Sequence, residues 1–337
     1  MNTFLVTGPT GFLGYHIVKL LNTHGHQPRV LLPPGIDSNA PERLALQRLN
    51  IEIAEGDTND PASLATACNG IETVLHSSFA IALGSGEAVE KLLYTGNVIA
   101  TRNLLEAAEK AGVARVVISS SALTAGLNHV PQPLDENANW DQHAFTLPYA
   151  LSRRHAEQEA LKRTTTPPAI IAVNPSFTLG PEDWIGAPAN RLVLRMSKPG
   201  FRLTAPIGFG LLDVRDYADG VLRAAERGAA GQRYLLSGTN VMPDQLLQEV
   251  AKAAGIEPPA WTVSLRAWML YPIVMGMGLW QRITKQPQKV APSLLELWGR
   301  YAWYDNSRAC HELGWKPRPL QDSLRDTLDW MRSHRPE

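Results

Sequence analysis

The chain has 337 residues, enough for a substantial core in one large or two modest domains. Its 32 Lys plus Arg balance 32 Asp plus Glu, so net charge steers it toward neither nucleic acid nor an anionic surface. Cys68 and Cys310 are its only cysteines and lie far apart, which excludes a disulfide framework and a zinc-ligand spacing; no metal is expected.

The first apolar run, Phe4–Thr7, reads as a strand entered at once from the N-terminus, with no basic leader or cleavage site, and the chain is read as cytoplasmic. Gly8, Gly11 and Gly14 follow in TGPTGFLG, and Phe12–Asn22 carries Leu13, Ile17, Val18, Leu20 and Leu21 at helical spacing. Strand, glycine turn and helix in that order make a dinucleotide-binding unit. Gly8 permits a tight turn, Gly11 leaves room for a pyrophosphate at the helix N-terminus, and Gly14 lets the helix approach the strand. The spacing is GxxGxxG rather than GxGxxG.

Further strands are expected at Arg29–Leu32, stopped by Pro33-Pro34-Gly35, at Ile51–Ala54 ahead of Gly56-Asp57, and at Thr73–His76. A helix is expected over Asn97–Ala111, a strand over Arg115–Ser119, a helix over Tyr149–Lys162 and a strand over Ala169–Val173. Pro175, Pro181, Pro188, Pro199 and Pro206 then interrupt the pattern. A strand–helix–strand unit returns over Leu211–Ser237, followed by a helix over Met242–Ala254 and a Trp-rich region.

Short apolar strands alternating with amphipathic helices imply an α/β fold: a Rossmann-type, doubly wound parallel sheet with a smaller, mostly helical C-terminal part. Residues 1–174 and 211–237 are assigned to the dinucleotide-binding domain, and 175–210 and 238–337 to the substrate-binding part. The most apolar stretch, Trp268–Trp280, is too short to span a bilayer, follows Arg266 and contains Pro272. Its Trp, Met, Leu and Tyr residues suit core, a wall around a bulky apolar substrate, or peripheral membrane attachment.

Hydride exchange with a nicotinamide needs a proton partner, and Tyr149 in PYALSRR is the candidate. A tyrosine near pKa ~10 needs roughly 3–4 kcal/mol of phenolate stabilisation to work near neutrality. Arg153, four residues on, lies on the same helix face and can supply part of it. Arg154 points about 100° away. Ser119, Ser120 and Ser121 offer hydroxyls at a strand end.

These residues carry a resemblance. TGPTGFLG, GDTNDPASL, NVIATRNLLEAAEKAGVARVVISSS, PYALSRR, NPSFTLGPED and LLDVRDYADG occur in the order found in extended short-chain dehydrogenase/reductases, over nearly the whole chain. The ending LGWKPRPLQDSLRDTLDW resembles the dihydroflavonol-reductase and 3β-hydroxysteroid-dehydrogenase branch. The resemblance implies Ser121, Tyr149 and Arg153 as the catalytic set. It implies cofactor contacts from Gly8, Thr10, Gly11, Phe12, Leu13 and Gly14. Asp57 and Thr58 would meet the adenine, Ser77, Ser78 and Ser119 would line the cofactor, and Pro175 and Phe177 would lie beside the nicotinamide. Ser120, Phe79 and Trp184 would face the substrate, and Asn97 matches the family's helix asparagine. Asp57 read by itself also suits a turn cap before Pro61.

Two positions depart from the family. Arg153 stands where a lysine is usual; it keeps the charge but is longer and planar. Pro33 stands where an arginine that meets a 2′-phosphate would be, no acid replaces it at the strand end, and Asp37 lies beyond the turn. Ser38 and Arg43 are within reach of such a phosphate, so the reading favours NADP, with NAD as the alternative. The expected function is an NAD(P)-dependent ketone reductase or secondary-alcohol dehydrogenase acting on a bulky, largely apolar small molecule, with a homodimer open as its assembly. Two other readings stand on the same residues: a sugar-nucleotide epimerase or dehydratase, with Arg191, Arg195, Lys198 and Arg202 for a diphosphate, and a non-catalytic cofactor-binding protein marked by Arg153.

Overall fold

The structure is a computed structural model that describes residues 3–138, 140, 145–163, 167–200, 202–266, 268–269, 271–272, 275–276 and 292–334. Of the apolar stretch named above, Leu270, Ile273, Val274, Met277, Leu279 and Trp280 lie outside the described residues.

The strands β1 (Phe4–Thr7), β2 (Arg29–Leu32), β3 (Glu52–Glu55), β4 (Thr73–His76), β5 (Arg115–Ser119), β6 (Ala169–Pro175) and β10 (Arg233–Leu236) form a seven-stranded sheet in the order β10-β6-β5-β4-β1-β2-β3. Every pairing in it is parallel. The order reverses between β1 and β4, which opens a crevice at the carboxyl ends of those strands. Side chains alternate across the sheet: Phe4 and Val6 enter the core beneath α1 (Phe12–Thr23) and α8 (Val214–Arg227). Leu5 enters the opposite core with α3 (Pro61–Cys68), α5 (Ala100–Lys110) and α6 (Pro148–Leu161).

The smaller sheet joins β11 (Thr239–Val241), β9 (Gly208–Asp213) and β13 (Tyr301–Ala302), with β7 (Phe177–Leu179) also paired to β9. The unit read over Leu211–Ser237 therefore divides: its first strand lies in the smaller sheet, while α8 and β10 pack on or in the larger one. Helix α7 (Pro188–Met196), α9 (Pro243–Ala254) and the C-terminal helix Leu320–His334 share a core with this smaller sheet.

Two local differences from the sequence reading have simple causes. The third strand forms over Glu52–Glu55, one residue later than expected. The helix expected from Asn97 begins at Glu87 and passes through a π-helical stretch, Tyr94–Ile99, before α5. Leu92 and Tyr94 are exposed there, and Gly96 interrupts the run, so the apolar periodicity is blurred. A Cβ on Gly96 would lie 2.7 Å from Ala80 Cβ, which explains the glycine.

Candidate active site

The crevice is built outward from the first glycine. Gly8 has φ of +68°, and a Cβ there would lie 2.7 Å from the Ser77 carbonyl oxygen and 2.9 Å from Ser78 Cα. A Cβ on Gly14 would lie 2.0 Å from the Gly8 carbonyl oxygen. These two glycines let β1, α1 and the end of β4 come together. Gly11 differs: its Cβ would meet only the Gly8 oxygen, at 3.3 Å, and otherwise points into open space. Gly11 caps α1 with no side-chain hydrogen bond, and no acid occupies the first turn. The amides of Phe12, Leu13 and Gly14 therefore start the helix unpaired beside a cradle that any side chain at Gly11 would fill. This donor set fits a pyrophosphate. The Phe12 side chain is buried against Ala187 and Val214, with Leu13 alongside, so these residues can serve an anion through their backbone. Thr10 is partly buried at the turn.

At the far end of β2 and β3, Asp57 closes a turn: its Oδ1 accepts from the Asn59 amide at 2.7 Å and from Asn59 Nδ2 at 3.0 Å. Thr58 is buried, and its carbonyl accepts from Asn103 Nδ2 at 3.3 Å. Asp37 turns back on its own loop, accepting from the Asn39 amide at 2.9 Å. Arg43, on α2 (Pro41–Gln47), donates from Nη1 to the Ile36 carbonyl at 2.9 Å, while its Nε is buried without a partner.

The reacting end lies where β5 meets α6. The Ser121 hydroxyl accepts from the Leu123 amide at 3.3 Å and hydrogen-bonds Tyr149 at the start of α6. Arg153, one turn along α6, is buried; it donates to the Ser119 carbonyl, and its guanidinium carbon lies 4.4 Å from the centroid of the Phe79 ring. Arg153 Nε is buried without a partner. Burial pushes the Tyr149 pKa up, while Arg153 and the Ser121 hydrogen bond pull it down. Burial pushes the Arg153 pKa down, opposed by Tyr149, Glu157 and Tyr217. Arg154 is spent elsewhere, donating to the Thr124 carbonyl at 2.7 Å with its guanidinium 5.0 Å from the Trp140 ring.

The structure thus brings Ser119, Ser121, Tyr149, Arg153 and Phe79 into one contact group. Ser77 and Ser78 form the wall against Gly8, and Ser120 is buried with its hydroxyl unpartnered. Pro175 ends β6 paired with Leu236. Phe177 and Trp184 join other packing groups: the Phe177 ring meets Phe209 at 5.6 Å, and the Trp184 ring meets Tyr15 at 4.8 Å and Trp330 at 5.8 Å.

Four supporting groups surround this contact group; the sequence reading reached Asn97 and the strand end at His76 but missed Tyr217 and Glu157. Tyr217, fully buried on α8, hydrogen-bonds the Ser119 hydroxyl and, at 3.2 Å, the Ser77 hydroxyl, bridging the ends of β5 and β4. It lies in the LLDVRDYADG segment, but no local pattern shows where that helix face lands. His76 sits between Thr7 Oγ1 at 2.7 Å and Thr101 Oγ1 at 3.2 Å; burial, then the charge of Arg153, lowers its pKa to about 3. Asn97 clamps the segment after β4: its Oδ1 accepts from the Ala80 amide at 2.8 Å, and its Nδ2 donates to the Ser152 hydroxyl at 2.9 Å. Glu157 lies one turn beyond Arg153 and is also buried. Its Oε2 accepts from Thr124 Oγ1 at 2.9 Å and Asn174 Nδ2 at 2.6 Å. The Ser121 carbonyl lies 2.8 Å from the same Thr124 Oγ1, whose one proton is shared between the two acceptors, and accepts from Asn174 Nδ2 at 3.2 Å. Arg233 pairs with the other Glu157 oxygen at 3.2 Å.

Comparison with known proteins agrees with this architecture. Residues 4–237 match the model of the NAD dependent epimerase/dehydratase family. A putative dihydroflavonol 4-reductase of Synechocystis is 31% identical, covering 98% of this chain and 95% of its own. Sterol demethylase protein B of Methylococcus capsulatus is 27% identical, covering 98% of each. The crystal structure of gox2253 superposes with a TM-score of 0.83 at 32% identity, over 99% of each chain. The chain belongs to the NAD-dependent epimerase/dehydratase family, in its extended short-chain dehydrogenase/reductase branch, and is an NAD(P)-dependent oxidoreductase.

Proposed function

We propose that this enzyme interconverts a ketone and a secondary alcohol on a bulky, largely apolar small molecule. The observation that carries the reading is the contact group of Ser121, Tyr149 and Arg153 at the carboxyl end of the sheet. The nicotinamide dinucleotide supplies or accepts the hydride when bound. The amides of Phe12, Leu13 and Gly14, opposite the open face of Gly11, would hold its pyrophosphate. Asp57, Thr58, Ser77, Ser78 and Ser119 would line the rest of the crevice, with Pro175 and Phe177 on its nicotinamide side.

In the reducing direction the Ser121 and Tyr149 hydroxyls both donate to the substrate carbonyl oxygen. Tyr149 then gives up its proton to that oxygen, and the Arg153 charge stabilises the phenolate left behind. Tyr149 is protonated at neutral pH, as a donor requires; burial outweighs the pull of Arg153 and Ser121, so the phenolate stabilisation expected of Arg153 from the sequence is supplied only in part. Ser120 and Phe79 are assigned to the substrate side, whereas Trp184, expected there from the sequence, has its ring packed between Tyr15 and Trp330. Residues 1–174 and 214–237 act as the cofactor domain, and 175–213 and 238–337 as the substrate-covering part, since the strand ending at Asp213 lies in the smaller sheet. A sterol in the name of one relative supports an apolar substrate. Arg191 and Arg195 lie exposed on α7, which supports a ketone substrate over a sugar nucleotide that needs inward-facing cations.

NADP is the assigned cofactor. Asp37 is turned into its own loop, and Arg43, which donates to the Ile36 carbonyl, brings a guanidinium charge to that loop for a 2′-phosphate. Titration calorimetry with NADPH and NADH, followed by turnover on a panel of apolar ketones, tests the whole reading. Tighter NADPH binding and ketone-dependent NADPH consumption are expected, and Tyr149→Phe should keep cofactor affinity while lowering turnover about 10²–10⁴-fold. Unchanged turnover in that variant removes Tyr149 from the mechanism.

A further inference from the structure

One face of the smaller part presents large apolar side chains to solvent. Among the described residues of 261–276, Trp261 is 57% exposed, Trp268 68%, Tyr271 59% and Met275 53%. Leu203 joins them at 49% because the short strands Leu203–Thr204 and Val263–Ser264 pair, with Leu203 opposite Val263. Single exposed apolar residues are ordinary; several within one short stretch of chain, Trp and Tyr among them, point to an interaction surface.

The charges beside this face have one dominant sign. Lys198 and Arg266 are exposed, and the Arg202 guanidinium lies 4.2 Å from the Trp261 ring centroid. Lys198 and Arg202 also line a cavity of about 270 Å³ whose apolar wall includes Met196, Leu247 and Ile256, with Glu257 the carboxylate at its edge. The chain as a whole is charge-balanced, so this basic rim is a local feature.

We propose that this face docks on the surface of an anionic lipid bilayer. Trp and Tyr settle at the headgroup boundary, where an apolar ring body and a polar tip are both satisfied. Lys198, Arg202 and Arg266 face the lipid phosphates, and the stem of Arg202 stays against Trp261. A second copy of this chain fits less well, because a two-fold contact sets a patch against itself and so opposes the basic rims. Such docking delivers an apolar substrate from the membrane, a consequence that rests on the proposed function; the docking itself does not.

Co-sedimentation of the full chain with vesicles tests it. Binding is expected to phosphatidylcholine vesicles containing phosphatidylserine, not to phosphatidylcholine alone, and should weaken as salt is raised. The pair Trp261→Ser and Trp268→Ser should lower partitioning about tenfold while leaving the melting temperature unchanged. If the double variant melts early, Trp268→Ser alone replaces it. Equal binding to uncharged vesicles, no binding to either, or unaltered binding by the variants overturns the proposal. So does a concentration-dependent dimer, seen by sedimentation velocity and lost in the variants, without vesicle binding.

Discussion

The Arg153 guanidinium lies over the Phe79 ring, 4.4 Å from its centroid, and donates to the carbonyl at the end of β5. An arginine reaches that carbonyl and stacks at once; a lysine in its place would keep the charge but lose the planar contact. The residue that departs from the family pattern is therefore built into the wall of the crevice, one turn from Tyr149.

Removing that charge should move the titration of Tyr149. Arg153 lowers the Tyr149 pKa, so Arg153→Met raises it further. Alcohol oxidation needs the phenolate, and its rate climbs as pH rises through that pKa. The rising limb of the pH–rate profile should shift about one to two units alkaline in Arg153→Met and less in Arg153→Lys. An unmoved limb would mean that another group sets it.

Gly14 and Gly11 should separate by experiment. Gly14→Ala puts a Cβ 2.0 Å from a backbone oxygen that cannot retreat, so α1 must shift. A stability loss of about 2–4 kcal/mol is expected, read by urea denaturation. Gly11→Ala has 3.3 Å and open space beyond, so it should melt near the parent temperature yet lose dinucleotide affinity at least tenfold by calorimetry.

His76 and His16 are both buried, with pKa values held to about 3 and about 4 against an ordinary 6.5. Below pH 6.5 the unfolded chain binds a proton on each, while the native state does not until the lower values are reached. Stability is therefore complete above 6.5 and falls with pH through this window, by about 1.4 kcal/mol per unit for each histidine. In His76→Gln the slope between pH 6 and 4 should drop by about that amount, whatever the variant's absolute stability. Urea unfolding at a series of pH values gives the slope directly.

In the proposed mechanism Glu157 is a positioning residue that would act through Ser121, whose carbonyl lies within hydrogen-bond reach of the same Thr124 and Asn174 that meet the carboxylate. Glu157→Gln leaves the partly buried Arg233 without its charge partner and should cost about 1–3 kcal/mol. The pair Glu157→Gln with Arg233→Met should recover much of that stability but not kcat, with the KM for cofactor unchanged. Full recovery of kcat with stability would show that Glu157 serves the fold alone.

By itself the sequence determined whatever depends on neighbours along the chain. The strand, glycine turn and first helix were legible because Gly8, Gly11 and Gly14 meet local backbone and steric demands. Tyr149 and Arg153 were legible as a pair because residues four apart share a helix face. Tertiary structure alone decided what converges from distant segments. Tyr217 reaches Ser77 and Ser119 only because α8 packs across the ends of β4 and β5. Glu157 meets Arg233 only because β10 adds to the sheet beside β6. The Trp184 ring turns to Tyr15 and Trp330, a contact that joins the first helix, a middle loop and the last helix. Such contacts follow from how helices and strands pack, and no periodicity within one segment encodes them.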